Sequence, residues 1–224
     1  MKNFILKKYT ILKYLFAALL LCFLLLTFRI KTTHDYFGLF LVWNLFLAFI
    51  PLAIAWYVEA QHRLYKTRLK MIAGAVWILF LPNAPYVITD LIHLTYSAPN
   101  WFWYDVITIS AFAMLSLYLG FESIRVWRRL YAEILSTHLL NLATAAVLML
   151  CGFGIYLGRV VRFNSWDLLT QPDDLAYTIL QFLLNPIEHK WVWIFTGLFG
   201  LFLNLGYFGF QMLLTPKTSE NATR

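Results

Sequence analysis

The chain has 224 residues, of which 61% are hydrophobic and only 13% are charged. Soluble globular domains are close to half apolar and about one quarter charged, so this composition excludes an ordinary soluble domain. The mean hydropathy of +0.68 agrees with that exclusion. The formal net charge of +7 does not indicate a nucleic-acid-binding protein, because no basic–aromatic groove pattern accompanies it. We expect the anionic surface of a lipid bilayer to be the partner of the basic segments.

Six apolar runs are long enough to cross the hydrocarbon core of a bilayer, which takes roughly 20 helical residues. The runs cover residues 11–28, 36–58, 71–94, 106–121, 134–158 and 191–214. The connections between them are short, and the sequence has no internal repeat or low-complexity tract. These features predict one integral membrane domain over residues 1–224, an all-α polytopic bundle of about six transmembrane helices.

The first run follows several lysines and so resembles a secretory signal, but no small-residue cleavage site follows it. We therefore expect an uncleaved first helix. Most of the 18 basic residues lie in alternate connections, and the positive-inside rule places those connections and both termini in the cytoplasm. The connection over residues 159–190 is then extracytoplasmic, together with most of the 11 acidic residues.

The third run contains the stretch LPNAPY at residues 81–86, which interrupts its apolar character. Pro82 and Pro85 each remove a backbone donor, and each disfavours helical geometry in the residue before it. Asn83 is a good N-cap residue, and Pro85 suits the first turn of a new helix. The sequence therefore predicts that the third span is broken between Pro82 and Pro85 into two half-helices.

Four polar side chains follow this predicted break at helical spacing. Asn83, Tyr86, Asp90 and His93 are separated by steps of three, four and three residues, which puts them on one face. Lipid rejects ionisable side chains, so we expect this face to point into the bundle interior or a wet cavity. A lone Asp would more often only hydrogen-bond a neighbouring helix, whereas four polar groups in register favour a functional site.

Charged residues also occur at the outer ends of the fourth and fifth runs. A short connection is expected to bring Asp105, in the stretch WFWYDV, beside the third span. Arg159 and Arg162, in the stretch GRVVRFNSWD, are three residues apart, and we expect one helical face to carry both. One interpretation is that they bind outer-leaflet phosphates or pair with Asp167. The other is that they neutralise Asp90 or Asp105 and hold an anionic substrate, to which arginine is suited.

Residues 163–190 form the longest connection. Thr170, Pro172 and Asp173 are typical of a helix start, and about 13 mostly apolar residues follow, too few to span a bilayer. The segment is predicted to be an interfacial helix docked on the membrane, or a lid over the outer face.

The stretches LPNAPY, TDL and HL of the third run, with WYD at residues 103–105 and GRVVRFNSWD at residues 158–167, resemble the signatures of one family. That family comprises uncharacterised bacterial multipass membrane proteins and is catalogued only as a domain of unknown function. The resemblance covers nearly the whole chain and implies a bacterial integral membrane protein, which we expect to lie in the inner membrane. It supports grouping eight polar residues in one site: Asn83, Asp90, His93, Asp105, Arg159, Arg162, Asn164 and Asp167. It implies no reaction.

The first class of function open to these residues is an enzyme of the outer membrane face, a hydrolase or transferase acting on an anionic or lipid-linked substrate. Asp90 and His93 would form an acid–base pair, or Asp90, His93 and Asp105 would be catalytic ligands of a divalent metal. The sequence identifies no cofactor beyond that open metal site. The substrate-binding residues would be Arg159, Arg162, Asn83, Tyr86, Asn164 and Asp167.

Two other classes remain open. In a transporter or channel subunit, the broken helix would receive a small anionic solute near the middle of the membrane. Six spans with one broken helix make an incomplete carrier, so this class calls for a homodimer or a partner membrane protein. In an accessory or assembly protein, the polar cluster would only lock helices together.

Overall fold

The computed structural model describes residues 2–61 and 67–214. Within these ranges six helices are long and apolar enough to cross a membrane, and no β-strand occurs. The protein is therefore an all-α, multi-pass membrane bundle, as the six apolar runs predicted. Many large apolar side chains on the outer helices are exposed, which suits contact with lipid.

The helices occur in the following order: α1 (Lys2–Thr33), α2 (Phe40–Ala60), α3 (Thr67–Phe80), α4 (Asn83–Tyr86), a 3-10 helix (Val87–Tyr96), a 3-10 turn (Pro99–Trp101), α5 (Phe102–Tyr131), α6 (Thr137–Tyr156), a π turn (Leu157–Val161), α7 (Asp167–Thr170), α8 (Pro172–Leu184) and α9 (Lys190–Leu214). The third span consists of α3, α4 and the 3-10 helix. Helix α5 packs against α1, α2 and the third span, while α6 packs mainly against α9. The short helix predicted between residues 163 and 190 is α8, with 13 residues.

The third span is interrupted where the two prolines occur. Helix α3 ends at Phe80, a turn covers Leu81 and Pro82, and the helix resumes at Asn83. Because Pro85 has no N–H, the carbonyl of Leu81 loses its α-helical donor and accepts from Ala84 N at 3.1 Å instead. The ladder of α-helical hydrogen bonds is thus broken at the predicted place. The backbone nevertheless keeps helical dihedral angles, with Pro82 at φ −57° and ψ −24°.

Asn83 does not cap the new helix, contrary to the sequence-based expectation. Its amide nitrogen donates to the carbonyl of Phe80 at 2.9 Å and to Ser165 Oγ at 2.9 Å. The hydroxyl of Ser165 in turn donates to the carbonyl of Leu79 at 3.4 Å. Side chains therefore satisfy carbonyls around the break, as backbone at membrane depth requires.

The outer part of the third span is a 3-10 helix, not the predicted α-helix. Side chains three residues apart are eclipsed in a 3-10 helix, so Val87, Asp90 and His93 lie along one edge. Val87 and Asp90 are fully buried. The geometry keeps Asp90 and His93 adjacent, as the predicted stripe required, although the helix type is different.

Close packing holds the interrupted span between α5 and α6. A Cβ placed on Gly120 of α5 would lie 2.8 Å from Ala84 Cβ, and a Cβ on Gly154 of α6 would lie 2.7 Å from Pro82 Cγ. Both distances are too short for carbon atoms in contact. Small residues of this kind let helices approach closely in a membrane, and here they bring the proline break against both neighbours.

Candidate functional site

The carboxylate of Asp90 is fully buried and lies at the centre of a polar group that joins three spans. Arg159 Nη2, from the π turn, donates to Asp90 Oδ1, and Asn44 Nδ2, from α2, donates to Asp90 Oδ2 at 2.7 Å. Arg159 Nε also donates to Thr89 Oγ1 at 2.8 Å. The guanidinium carbon lies 4.1 Å from the ring centroid of Tyr86. We call these five residues the Asp90 group.

His93 lies beside the Asp90 group, one turn further along the 3-10 helix. Its Nε2 is 3.9 Å from Asp90 Oδ1, too far for a hydrogen bond, and its side chain is 32% exposed. Its ring packs on Phe40, with the centroids 4.4 Å apart. Asp90 therefore makes its hydrogen bonds to Arg159 and Asn44 and not to this imidazole.

The end of α6 separates the two arginines that the sequence grouped. The π turn Leu157–Val161 carries Arg159 toward Asp90. Arg162 then adopts a left-handed conformation, with φ 73°, and is exposed at the helix end. The prediction that one helical face carries both arginines is wrong, because the helix ends at Val161 and Arg162 is itself the left-handed residue that follows it.

Asp105 belongs to a different ion pair. Arg29 Nε donates to Asp105 Oδ1 at 2.8 Å, Arg29 Nη2 donates to Oδ2 at 3.2 Å, and Ser97 Oγ donates to Oδ2 at 2.5 Å. These hydrogen bonds go to no member of the Asp90 group. In the described parts of the chain, no three His, Cys, Asp or Glu side chains are placed to hold a metal ion together. Asp90, His93 and Asp105 therefore do not form a three-ligand set.

A pocket of about 190 Å³ lies beside the Asp90 group. Its polar lining comes from α2, the interrupted span and the loop after the π turn: Asn44, Asn83, Tyr86, Asn164 and Ser165. Trp43, Pro82, Gly158 and Phe163 are among the residues that complete the walls. Asn44 and Tyr86 belong both to this lining and to the Asp90 group, so the ion pair lies directly behind the pocket.

A tight turn fixes the loop that carries Asn164 and Ser165. Asp167 Oδ2 accepts from Asn164 N at 2.6 Å, and Asp167 Oδ1 accepts from Thr170 Oγ1 at 2.9 Å. These hydrogen bonds hold the pKa of Asp167 below its usual value, and the bond from the backbone N–H of Asn164 contributes most. Among the described residues, Asp167 pairs with Asn164 and Thr170, and neither Arg159 nor Arg162 is its partner.

Three residues of this region were missed in the sequence. Asn44 is the single amide in the second apolar run, and Arg29 follows the first run on the side that is expected to be depleted of basic residues. Both could therefore have been identified as candidates from the sequence. Ser165 could not. Its hydroxyl accepts from Asn83 Nδ2 and donates to the carbonyl of Leu79, and both contacts depend on where the loop after the π turn lies.

One protein-family model matches this chain, over the region that contains the pocket. No curated protein and no solved structure matches the chain. Residues 43–205 match the family model described as "Protein of unknown function (DUF1361)". This range contains the Asp90 group and every polar residue of the pocket lining, and it is more than half of the chain. The protein therefore belongs to the DUF1361 family.

Proposed function

We propose that this protein lies in the bacterial inner membrane and binds the polar head of a lipid-linked or other amphiphilic substrate in the pocket beside Asp90. One observation carries the proposal. Two neighbouring spans lose regular α-helical hydrogen bonding at the same pocket, one at Pro82 and one at Leu157–Val161. Irregular backbone at membrane depth is tolerated where it is buried in protein or lines a wet cavity, and π turns are frequent at functional sites.

The chemistry of the lining favours an uncharged hydrogen-bonding group over an anion. Among the described residues, the lining includes three asparagines and Ser165 but no charged side chain, and Trp43 adds an aromatic face. Arg159 is already paired with Asp90, and Arg162 is exposed at the helix end. A sugar or a glycerol group suits such a pocket, because its hydroxyls bond to amides and its C–H face packs on an aromatic ring.

The buried ion pair has a positioning role in this proposal. Asp90 orients the amide of Asn44, and Arg159 lies over the ring of Tyr86, so both pocket residues are fixed from behind. Pre-oriented amides lose less freedom when a ligand binds, which favours affinity. The charged groups thus support the neutral lining and need not contact the ligand.

A second candidate is a hydrolase or transferase in which His93 is the general base. The observation in its favour is the distance of 3.9 Å between His93 Nε2 and Asp90 Oδ1, together with the partial exposure of the imidazole. A divalent metal would need ligands besides these two residues. In this case His93→Gln should abolish turnover of a lipid-linked sugar and leave binding unchanged, whereas Asn83→Leu should weaken both.

Thiol accessibility tests the pocket directly. Cys22 and Cys151 are buried, so the protein itself should react little with a membrane-impermeant maleimide. Ser165→Cys places a thiol in the lining, and Ser116→Cys, at a fully buried serine of α5, is the matched control. In intact cells we expect the Ser165→Cys variant to be modified and the Ser116→Cys variant to remain unmodified. Equal, low reactivity of both variants would refute an accessible outer pocket.

The ligand class is tested on the same variant in polymer nanodiscs. We expect octyl glucoside to slow modification of Ser165→Cys more than octyl phosphate of the same chain length does. Stronger protection by octyl phosphate would mean that the pocket takes an anion and would contradict the neutral-head proposal.

Modification of Ser165→Cys from either membrane side in oriented vesicles would favour a transporter. A transporter of six spans with one broken helix is expected to work as a homodimer. A reporter fused to the C-terminus should be active in the cytoplasm, since the orientation follows the positive-inside rule.

A further inference from the structure

At the end of the bundle opposite the pocket, basic side chains surround two carboxylates. Glu122 of α5 is fully buried; it accepts from Arg125 Nη1 at 2.7 Å and lies 3.9 Å from Lys8 Nζ. Glu59 of α2 lies 2.9 Å from Lys8 Nζ and 3.3 Å from Arg129 Nη2. We call these five residues the inner ion group. Its three cations exceed its two carboxylates by one charge.

Arg128 adds another positive charge beside the inner ion group. Its guanidinium donates to the carbonyl of Leu140 at 2.9 Å, to Thr144 Oγ1 at 2.8 Å and to Asn141 Oδ1 at 2.7 Å. These partners, all from α6, are uncharged. Within the part of the chain that the structure describes, this end therefore carries a positive excess that an anion would offset.

Two adjoining spaces lie next to this excess charge. A cavity of about 340 Å³, where α5 ends and α6 begins, is lined by Arg125, Arg128 and Arg129. An apolar groove of about 250 Å³ lies between α3, α5 and α6, with Trp77 on its wall. The cavity and the groove share Arg128 and Leu140 as lining residues. A cationic space and an apolar one thus adjoin at the end of a membrane span, with Arg128 and Leu140 at their common boundary.

We propose that the cavity and the groove together bind one anionic phospholipid, with its phosphate against the arginines and one acyl chain in the groove. Guanidinium groups bind phosphate oxygens through paired hydrogen bonds, and basic pockets between membrane helices bind anionic head groups. A free phosphate would use the cavity and leave the groove without a ligand. A zwitterionic phospholipid brings no net negative charge to offset the excess.

The charge requirement is tested by lipid retention in native mass spectrometry of the full-length protein. The two probes are phosphatidylglycerol and phosphatidylcholine with identical acyl chains. We expect the protein to retain the anionic lipid preferentially, and Arg128→Gln to reduce that preference about tenfold, the size of one charge-assisted hydrogen bond. Glutamine can still donate to Leu140 and Thr144, which favours a folded variant. Arg68→Gln, at an exposed arginine near the start of α3, is the matched control and should retain the preference.

The groove is tested without disturbing the ion pairs. Ala143→Trp fills the groove from α6, whereas Ala146→Trp places the same side chain on an exposed part of α6 outside the groove lining. We expect the first variant to lose retained phosphatidylglycerol and the second to keep it. Equal retention by both variants, or equal retention of the two lipids by the protein, would overturn the proposal. So would inorganic phosphate, if it raised the Tm as much as phosphatidylglycerol does.

Discussion

Arg29 of α1 and Asp105 of α5 are joined by two hydrogen bonds, of 2.8 and 3.2 Å, across a separation of 76 residues. Both residues are almost fully buried, at 3% and 1% exposure. Removing one member of such a pair leaves an uncompensated charge and typically costs about 3–5 kcal/mol. We expect Asp105→Asn to lower the free energy of unfolding by about that amount, measured by denaturant titration in mixed micelles.

The matched control for this prediction removes both charges. Arg29→Met combined with Asp105→Leu leaves no buried charge at this position, so most of the stability should return. If the single and double variants lose the same stability, the pair does not join α1 to α5 in the way described.

The Asp90–Arg159 pair should be coupled energetically in the same manner. Asp90→Asn and Arg159→Gln each remove one member, and contacting residues show interaction energies of about 0.5–3 kcal/mol in double-mutant cycles. We expect the cycle to give coupling in this range and both single variants to remain folded but lose pocket protection by octyl glucoside. If both variants lose folded protein instead, the group only locks helices, which favours an accessory role.

Gly154 should not tolerate a methyl group, because its Cβ would lie 2.7 Å from Pro82 Cγ. We expect Gly154→Ala to lower the Tm and to disturb the pocket that Pro82 lines. Gly197 of α9 is the control, since a Cβ there meets no atom within 4 Å. Gly197→Ala should leave the protein unchanged or stabilise it by about 0.5–1 kcal/mol through lower chain entropy. Equal Tm values for the two variants would contradict the close approach.

Arg162 should be replaceable where Arg159 is not. Its φ of 73° is a conformation that glycine adopts freely and β-branched residues adopt with strain. We expect Arg162→Gly to keep the stability within about 1 kcal/mol and Arg162→Val to lower it by about 1–2 kcal/mol, as seen in thermal unfolding. A large loss in the glycine variant would show that the guanidinium of Arg162 has a role of its own.

The loop over residues 163–170 should loosen in acid. The native pKa of Asp167 is lowered by the hydrogen bonds it accepts, so its contribution to stability is present above the ordinary value of about 3.9. That contribution is lost as the pH falls from there through the lowered native pKa. Pepsin cleavage within this loop should therefore rise with acidification. Asp167→Asn has no carboxylate to titrate there, so its cleavage should vary with pH only as pepsin itself does, and it is the control for that variation.

The sequence predicted the parts of this fold that depend on local pattern. Six apolar runs gave the spans, and Pro82 with Pro85 gave the interruption, because both signals act over a few neighbouring residues. The grouping of Asp90, His93 and Arg159 could also be predicted, because ionisable side chains are unfavourable in lipid and therefore face the interior of the bundle. The sequence could not assign Asp105 to Arg29, because that choice depends on which helices become neighbours.

The π turn could not be predicted from the sequence pattern either. It has a consequence for how this chain tolerates insertions and deletions. A π turn accommodates one more residue than an α-helical turn does. One residue corresponds to about 100° of rotation in an α-helix of 3.6 residues per turn. Deleting Val160 would let α6 continue as a regular helix and would rotate everything after it, moving Ser165 away from Asn83. The pocket therefore depends on the length of this helix as well as on its composition.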